Sequence, residues 1–254
     1  MTNEKHKHNL SYFFSDKRQK IRFHKDLLLQ YYRTYYSNLY NEVYTGKEPI
    51  PKVIHYVWFG RGKYSEILER CQESWHKNLP GYQFKLWNED NFPFEKYPFA
   101  RQAYDAKKYA FASDVARIHA LYHEGGIYLD TDMEVVKPFD PLLQYGLFTS
   151  YESPNLIQMG TIGARQYHPL MRMMLLWYYN LDFCDTYAVL AITRIMSKIV
   201  RYHYHVKLRG KYMQLKDDIY IFTRDYFIPE WEDDSWATTE NTYTIHHWTG
   251  LWKL

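Results

Sequence analysis

"DAKKYAFASDVARIHALYHEGGIYLDTDMEVVKPFD", residues 105–140, decides how the rest of the chain is read. Phe111, Val115, Ile118 and Tyr122 recur at helical spacing and form one apolar stripe. Gly125 and Gly126 end that helix. "IYLD" then reads as a short buried strand, with Asp130 and Asp132 at its carboxyl end. On an extended segment, residues two apart project to the same side, so both carboxylates face one point. Open α/β sheets bind ligands at that edge. Two like charges aimed at one point repel unless a cation lies between them, and oxygen ligands suit Mg²⁺ or Mn²⁺. A bare D-x-D is more often a solvated acidic turn, so its surroundings decide.

The preceding helix carries Asp114 and Arg117. At 100° per residue they lie about 60° and 120° from Phe111, on the same side of the stripe. This puts an i, i+3 carboxylate–guanidinium pair at the rim of the core. An intrahelical salt bridge is the plain reading. Beside an acidic metal point the pair has a second use. Arg meets phosphate bidentately, and Asp accepts hydrogen bonds from sugar hydroxyls.

Upstream, "KVIHYVWF" (52–59) is a continuous apolar, β-prone run, as expected of a buried parallel strand. "SEILERCQESWHKNLPG" (65–81) has helical periodicity and a Pro-Gly stop, and "YQFKLWNED" (82–90) reads as a second strand. Strand, helix, strand is a βαβ unit and implies a parallel sheet. Trp58 ends the first strand, where it can stack on a nucleobase or close the core. Downstream come strand-like "YGLFTSY" (145–151), a loop with "MGTIGA" (159–164), and a helix over "PLMRMMLLWYY" (169–179). "HHWTGLWK" (246–253) gathers two imidazoles, two indoles and Lys253. A histidine there is a candidate third ligand for a borderline ion, Trp can stack on a sugar face, and Lys253 can neutralise phosphate.

Composition bounds the class. The chain has 254 residues, 46% apolar and 19% aromatic, which fits one sizeable α/β core with a small appendage. A net charge of +3 does not point to nucleic acid. Cys71 and Cys184 are too few for a disulfide framework or a thiolate metal site. No apolar stretch reaches the roughly 18 residues of a spanning helix, and no signal peptide is evident. The expected location is cytoplasmic, in a reducing compartment. Residues 1–48 hold nine Lys/Arg against five Asp/Glu with Leu/Tyr clusters, and Pro49 and Pro51 close the segment. It reads as a helical extension preceding a main domain over 49–254.

Taken in order, "IPKVIHYVWFG", "ESWHKNLPGYQFKLWNEDN", the 106–140 block, "GTIGARQYHPLM" and "YTIHHWTGLW" resemble the sugar-binding D-x-D glycosyltransferases of family 32. That family includes capsular-polysaccharide enzymes and initiating α-1,6-mannosyltransferases, and is distantly similar to the clostridial glucosylating toxins. The resemblance covers roughly residues 49–180 and 243–252. It implies a GT-A fold: a Rossmann-like nucleotide-binding half and an acceptor half around one mixed sheet. It also implies a nucleoside diphosphate sugar donor, a divalent metal and retention of anomeric configuration. Carried over by position, Trp58 stacks on the donor base, Ser113 lies near the ribose, and Asp114 and Arg117 hold donor sugar and diphosphate. Tyr128 precedes the D-x-D at its usual place, Asp130 is shared between sugar and metal, and Asp132 binds metal directly. The closing H-W-x-G favours His247 over His246 as third ligand, with Trp248, Trp252 and Lys253 on the donor side.

Residues 185–193, "DTYAVLAIT", lack the Gly-Pro turn of many relatives, which leaves the acceptor open: a glycan, a lipid-linked saccharide, or a protein as in the toxins. Glu152 and Asp185 are weak candidates for a nucleophile. A two-metal phosphodiesterase would need more acidic ligands than are clustered here, and a binding module without activity would not need all of Asp114, Arg117, Asp130 and Asp132. Two basic, aromatic-rich segments, 17–44 and 201–216, suggest peripheral contact with an anionic bilayer.

Overall fold

The computed structural model describes residues 44–179, 182–183 and 191–250. The helical extension expected over 1–48 therefore lies outside the described residues except for 44–48, which form no helix. Trp252, Lys253, Cys184 and Asp185 lie outside them too.

The βαβ unit forms as its pattern requires. Strand β1 (Val53–Val57) runs parallel to β2 (Gln83–Trp87), with Val53 opposite Gln83, and helix α1 (Glu66–Asn78) connects them. Leu68, Cys71 and Trp75 are the buried face of α1. Glu66 and Glu69 in its first turn, and His76 and Lys77 in its last, complement the helix dipole. Helix α2 (Pro98–Asp105) then leads into α3 (Tyr109–Glu124). Helix α3 delivers the chain to β3 (Gly126–Leu129), which lies parallel to β1 on its other side.

That delivery depends on two glycines. Gly125 and Gly126 have φ of 67° and 109°, and a Cβ on Gly126 would sit 2.7 Å from the Val53 carbonyl. The chain reverses here at van der Waals distance from β1, which only glycine allows.

Beyond β3 the sheet becomes mixed. Strand β4 (Met133–Val135) leaves it, while β5 (Leu147–Ser153), β6 (Leu156–Ile157) and β7 (Thr161–Ala164) return to it. Helices α4 (Pro169–Tyr179) and α5 (Ile192–His203) precede β8 (Met213–Leu215) and β9 (Ile219–Phe222). The order is β2-β1-β3-β7-β5-β9-β8, with β6 paired to β5. The β2, β1 and β3 part is parallel; β7 is antiparallel to both β3 and β5. The α/β expectation, a Rossmann-like parallel half within one mixed sheet, is borne out. "MGTIGA" is a correction: residues 161–164 are not loop but β7, at the centre of the sheet. Its small residues explain why: a Cβ at Gly163 would meet the Phe148 ring at 2.2 Å, so only a bare backbone fits there.

Side chains of β3 alternate between two cores. Ile127 and Leu129 join the cluster around Trp75, Phe148 and Phe227, while Tyr128 faces the cluster built on α2–α5. Helix α3 lies inside the latter and is buried at Phe111, Ala112 and every residue from Asp114 to Leu121. Asp114 and Arg117 are therefore inside the core and not at its rim. The apolar stripe read from the sequence is one side of a helix enclosed on nearly all sides.

The last elements are a hairpin of β10 (Trp231–Glu232) and β11 (Ser235–Trp236), and β12 (Thr244–His246). Strand β12 pairs antiparallel with β4, placing His246 opposite Met133.

Candidate active site

The two aspartates stand in a turn and not on an extended strand. Strand β3 ends at Leu129, and the Met133 N–H closes the turn onto the Asp130 carbonyl at 3.0 Å. Both carboxylates still reach one point, because each is held separately.

Asp130 is held from the core side. Its Oδ1 accepts from Arg117 Nη2 and from the Tyr128 hydroxyl, each at 3.0 Å. Arg117 lies with its guanidinium carbon 4.3 Å over the Tyr128 ring. Its Nη2 also lies 3.4 Å from Asp114 Oδ1, and its Nη1 donates to the Met159 carbonyl. The fork thus faces two carboxylates and a backbone oxygen. Burial lifts the Asp114 carboxyl to about 7, against the pull of Arg117, with Asp130 adding to the rise and the Ile192 N–H opposing it. Arg117 Nε and the Tyr178 hydroxyl are buried, and among the described residues they have no hydrogen-bond partner.

Asp132 is held from the C-terminal side. Its Oδ2 accepts from the Thr249 N–H at 3.0 Å and the Thr249 hydroxyl at 2.9 Å, and its Oδ1 lies 3.2 Å from His246 Nε2. Burial pushes this carboxyl up, but His246 and Thr249 outweigh it and bring it down to about 2.

One ligand atom from each of Asp130, Asp132 and His246 lies within 4.8 Å of the others. Two carboxylate oxygens and an imidazole nitrogen converging at that spacing fit a divalent ion of the Mn²⁺ or Mg²⁺ kind. His247, the expected third ligand, points elsewhere: its Nε2 bonds Glu134 Oε2 at 2.8 Å. The correction has a simple cause. Successive residues of a strand face opposite sides, and the β12–β4 register turns His246, not His247, toward Asp132.

Other expected residues take these positions. Trp58 follows β1 at its carboxyl end and is half-buried; its Nε1 donates to Gly62 O at 2.7 Å and its ring packs 4.7 Å from Tyr64. It is neither core nor free. Ser113 is half-buried on α3 beside Asp114. Trp248 is exposed and stacks on His246 at 3.9 Å. Glu152, at the end of β5, is half-buried. Burial raises its carboxyl, opposed by His246, Arg224 and Arg194 and reinforced by Asp130.

Sequence reasoning missed Thr249 and Gly160. Thr249 lies within the quoted C-terminal motif but was not singled out. A Cβ at Gly160 would stand 2.9 Å from Asp130 Oδ2. That glycine leaves the room in which Asp130 turns toward Asp132, and nothing in a lone "MG" signals it.

Residues 65–149 match the family described as glycosyltransferase sugar-binding region containing DXD motif. The matched stretch runs from α1 into β5 and holds Asp114, Arg117, Tyr128, Asp130 and Asp132. The resemblance to the family 32 type of D-x-D glycosyltransferase is thus borne out.

Among individual relatives, inositol phosphoceramide mannosyltransferase 3 of Schizosaccharomyces pombe is 27% identical over 232 residues, covering 84% of this chain and 64% of its own length. Mannosyl phosphorylinositol ceramide synthase SUR1 of Saccharomyces cerevisiae is 32% identical over 155 residues, covering 58% of this chain and 39% of its own. The chain spans less than two thirds of the length of these curated relatives. The solved structure of PaToxG glycosyltransferase aligns with a TM-score of 0.48 and 20% identity, over 61% of this chain and 69% of that one.

Proposed function

We propose that this chain transfers a hexose from a nucleoside diphosphate sugar to a saccharide or lipid-linked acceptor, with retention of configuration and with a divalent metal, Mn²⁺ by preference. The observation that carries the reading is the convergence of Asp130, Asp132 and His246 beside the buried Asp114–Arg117 pair. The relatives' names favour mannose as the hexose and a phosphoinositol-bearing sphingolipid as the acceptor, over a role in surface polysaccharide synthesis. Among the described residues no helix is long and apolar enough to cross a membrane. The exposed Lys207, Arg209, Lys211 and Lys216 would meet the anionic surface that carries a lipid-linked acceptor.

The chain's residues divide the work. Asp130, Asp132 and His246 would hold the ion, whose positive charge, when bound, draws on the donor's diphosphate oxygens. Arg117 fixes Asp114 and Asp130 at once, so the two carboxylates that meet the donor keep one orientation. Tyr128 fixes Asp130 from below. Trp58 stacks on the base at the neighbouring strand end. The bond from the anomeric carbon to phosphate breaks with its electron pair going to the diphosphate. The acceptor hydroxyl attacks from the same face, and its proton passes to the departing phosphate oxygen. No side chain becomes covalently attached.

A panel of nucleotide sugars with Mn²⁺, scored for slow hydrolysis without acceptor, tests this reading. One donor turned over in a chelator-sensitive way is the expected result. No turnover of any donor under tight nucleotide binding would reduce the site to a binding module.

A further inference from the structure

Helix α5 starts at the donor site, where the Ile192 N–H faces Asp114, and runs outward from it. Its inward side is fixed: Ile192, Ile195, Met196, Ile199 and Val200 are buried, and the Ser197 hydroxyl accepts from the Ile157 N–H of β6 at 2.8 Å. The helix therefore cannot rotate. Its outer side carries Arg194, Lys198 and Arg201 at i, i+4 and i+7, within about 60° of one another around the axis and about 10 Å along it.

Among the described residues these three cations form no ion pair. No Asp or Glu occurs from residue 191 to residue 216. Among the described residues none of the three has a carboxylate within ion-pair distance; Arg201 is steadied only by the Asn155 carbonyl in the β5–β6 turn. Burial and the two flanking guanidiniums lower the pKa of Lys198, as three crowded positive charges require. The row starts at the reaction side, because Arg194 follows by two residues Ile192, whose N–H bonds Asp114. Like charges held this close on a rigid helix destabilise the protein unless an anion joins them. The span suits one compact anion, and guanidinium forks match phosphate oxygens.

We infer that Arg194, Lys198 and Arg201 form an acceptor subsite that holds a phosphate group attached to the saccharide or polyol being glycosylated. The inference rests on reading the Asp130–Asp132–His246 point as a glycosyl-transfer site, and it adds the side chains that meet the acceptor's phosphate. They are binding residues and take no part in bond making.

The test uses the full chain with Mn²⁺ at low salt. Binding of myo-inositol 1-phosphate is compared with binding of uncharged myo-inositol. The variants are the triple Arg194→Gln/Lys198→Gln/Arg201→Gln and the charge-keeping double Arg194→Lys/Arg201→Lys. The wild type should bind the phosphate ester and not the polyol. The triple should bind it about tenfold or more weakly, the scale of a lost charge-assisted hydrogen bond, and the double should recover part of that loss. The triple's melting temperature should equal or exceed the wild type's, since a repulsion is removed, which separates lost binding from lost folding. Vesicles of phosphatidylinositol against phosphatidylserine identify the source: retention on the former in excess of the latter, with the excess lost in the triple, assigns the phosphate to a lipid headgroup, whereas no excess assigns it to a soluble ester. Equal binding of ester and polyol, or undiminished binding of the ester by the triple, would overturn the subsite. A triple that loses nucleoside diphosphate affinity instead would assign the row to the donor, which also overturns it. Wild type that binds the ester through these residues yet hydrolyses no donor would remove the glycosyl-transfer reading and with it the acceptor role, leaving the row as a phosphate site alone.

Discussion

Arg117 and Arg194 are both guanidiniums close to the reaction point, and their surroundings are opposite. Arg117 is buried, with Asp114 and Asp130 against one nitrogen and the Met159 carbonyl against another. Arg194 is exposed, one of three cations in a row that forms no ion pair among the described residues. The difference teaches how the two sides use charge. On the donor side the protein supplies both signs, so that carboxylates stay aimed when no substrate is present; such preorganisation is what lets charge act on a transition state. On the other side the protein supplies one sign and leaves the second to whatever binds. A balanced network fixes geometry, and an unbalanced one attracts a ligand.

The sharpest way to break this contrast is at Asp132. Asp132→Asn keeps the shape and removes the charge, and metal-dependent donor hydrolysis should fall on the order of 10²–10³-fold. His246→Ala should fall with it, while His247→Ala stays near wild type, because His247 is turned to Glu134. Turnover of the Asn variant at the wild-type rate, in steady-state hydrolysis assays, would mean that the donor side is not organised around these carboxylates.

A smaller effect is expected at Trp58. Removing an aromatic platform under a base costs about 1–3 kcal/mol, so Trp58→Ala should weaken nucleoside diphosphate binding by roughly 10- to 100-fold in calorimetric titration. Unchanged affinity would leave Trp58 as a partner of Tyr64 only, and the balanced region would shrink to the acidic point.

The mildest effect concerns Asp114, where the two regions meet, with Arg117 and Asp130 on one side and the first turn of α5 on the other. Its carboxyl sits at about 7 against an ordinary 3.8. Between those values the folded protein retains a proton that the unfolded chain releases. Stability from this group is therefore full below about pH 4 and declines as pH rises toward 7, by at most about 1.4 kcal/mol per unit. Asp132, at about 2, has the opposite sign: its contribution is present above about pH 4 and is lost as pH falls toward 2. Melting temperatures of wild type and Asp114→Asn should draw apart from pH 4 to 7, the wild type losing ground. A constant gap over that range would show Asp114 ionised throughout and Arg117 fully satisfied by it.

Much of the donor side was legible in the sequence because it is local. Helix α3, the two glycines, β3 and the aspartates occupy one continuous stretch, so its reading brings Asp114, Arg117, Asp130 and Asp132 together, although the aspartates meet through a turn and not through the strand alternation read from their spacing. What escaped is non-local. That α3 is enclosed, and so draws its Asp–Arg pair into the core, depends on α2 and α4 packing around it. The exchange of His246 for His247 depends on a strand register set against residues more than a hundred positions away. Gly160 matters only because β7 enters the sheet beside β3, which no periodicity in "MGTIGA" announces. The basic run over 201–216 was visible, but the row on α5 begins earlier, at Arg194, and shows itself only once the helix has a buried face.

The β4–β12 pairing also fixes when the site exists. Asp132 receives its hydrogen bonds from Thr249, 117 residues downstream. A chain emerging from the ribosome can close β1, β2 and β3 long before that segment has been made, since domains fold as their parts appear. Until β12 docks, Asp132 lacks the contacts that lower its pKa, and the third ligand is absent. Asp130, Asp132 and His246 can thus come together only after residue 249 has been made, and a nascent fragment ending earlier would carry the aspartates without the contacts that hold Asp132.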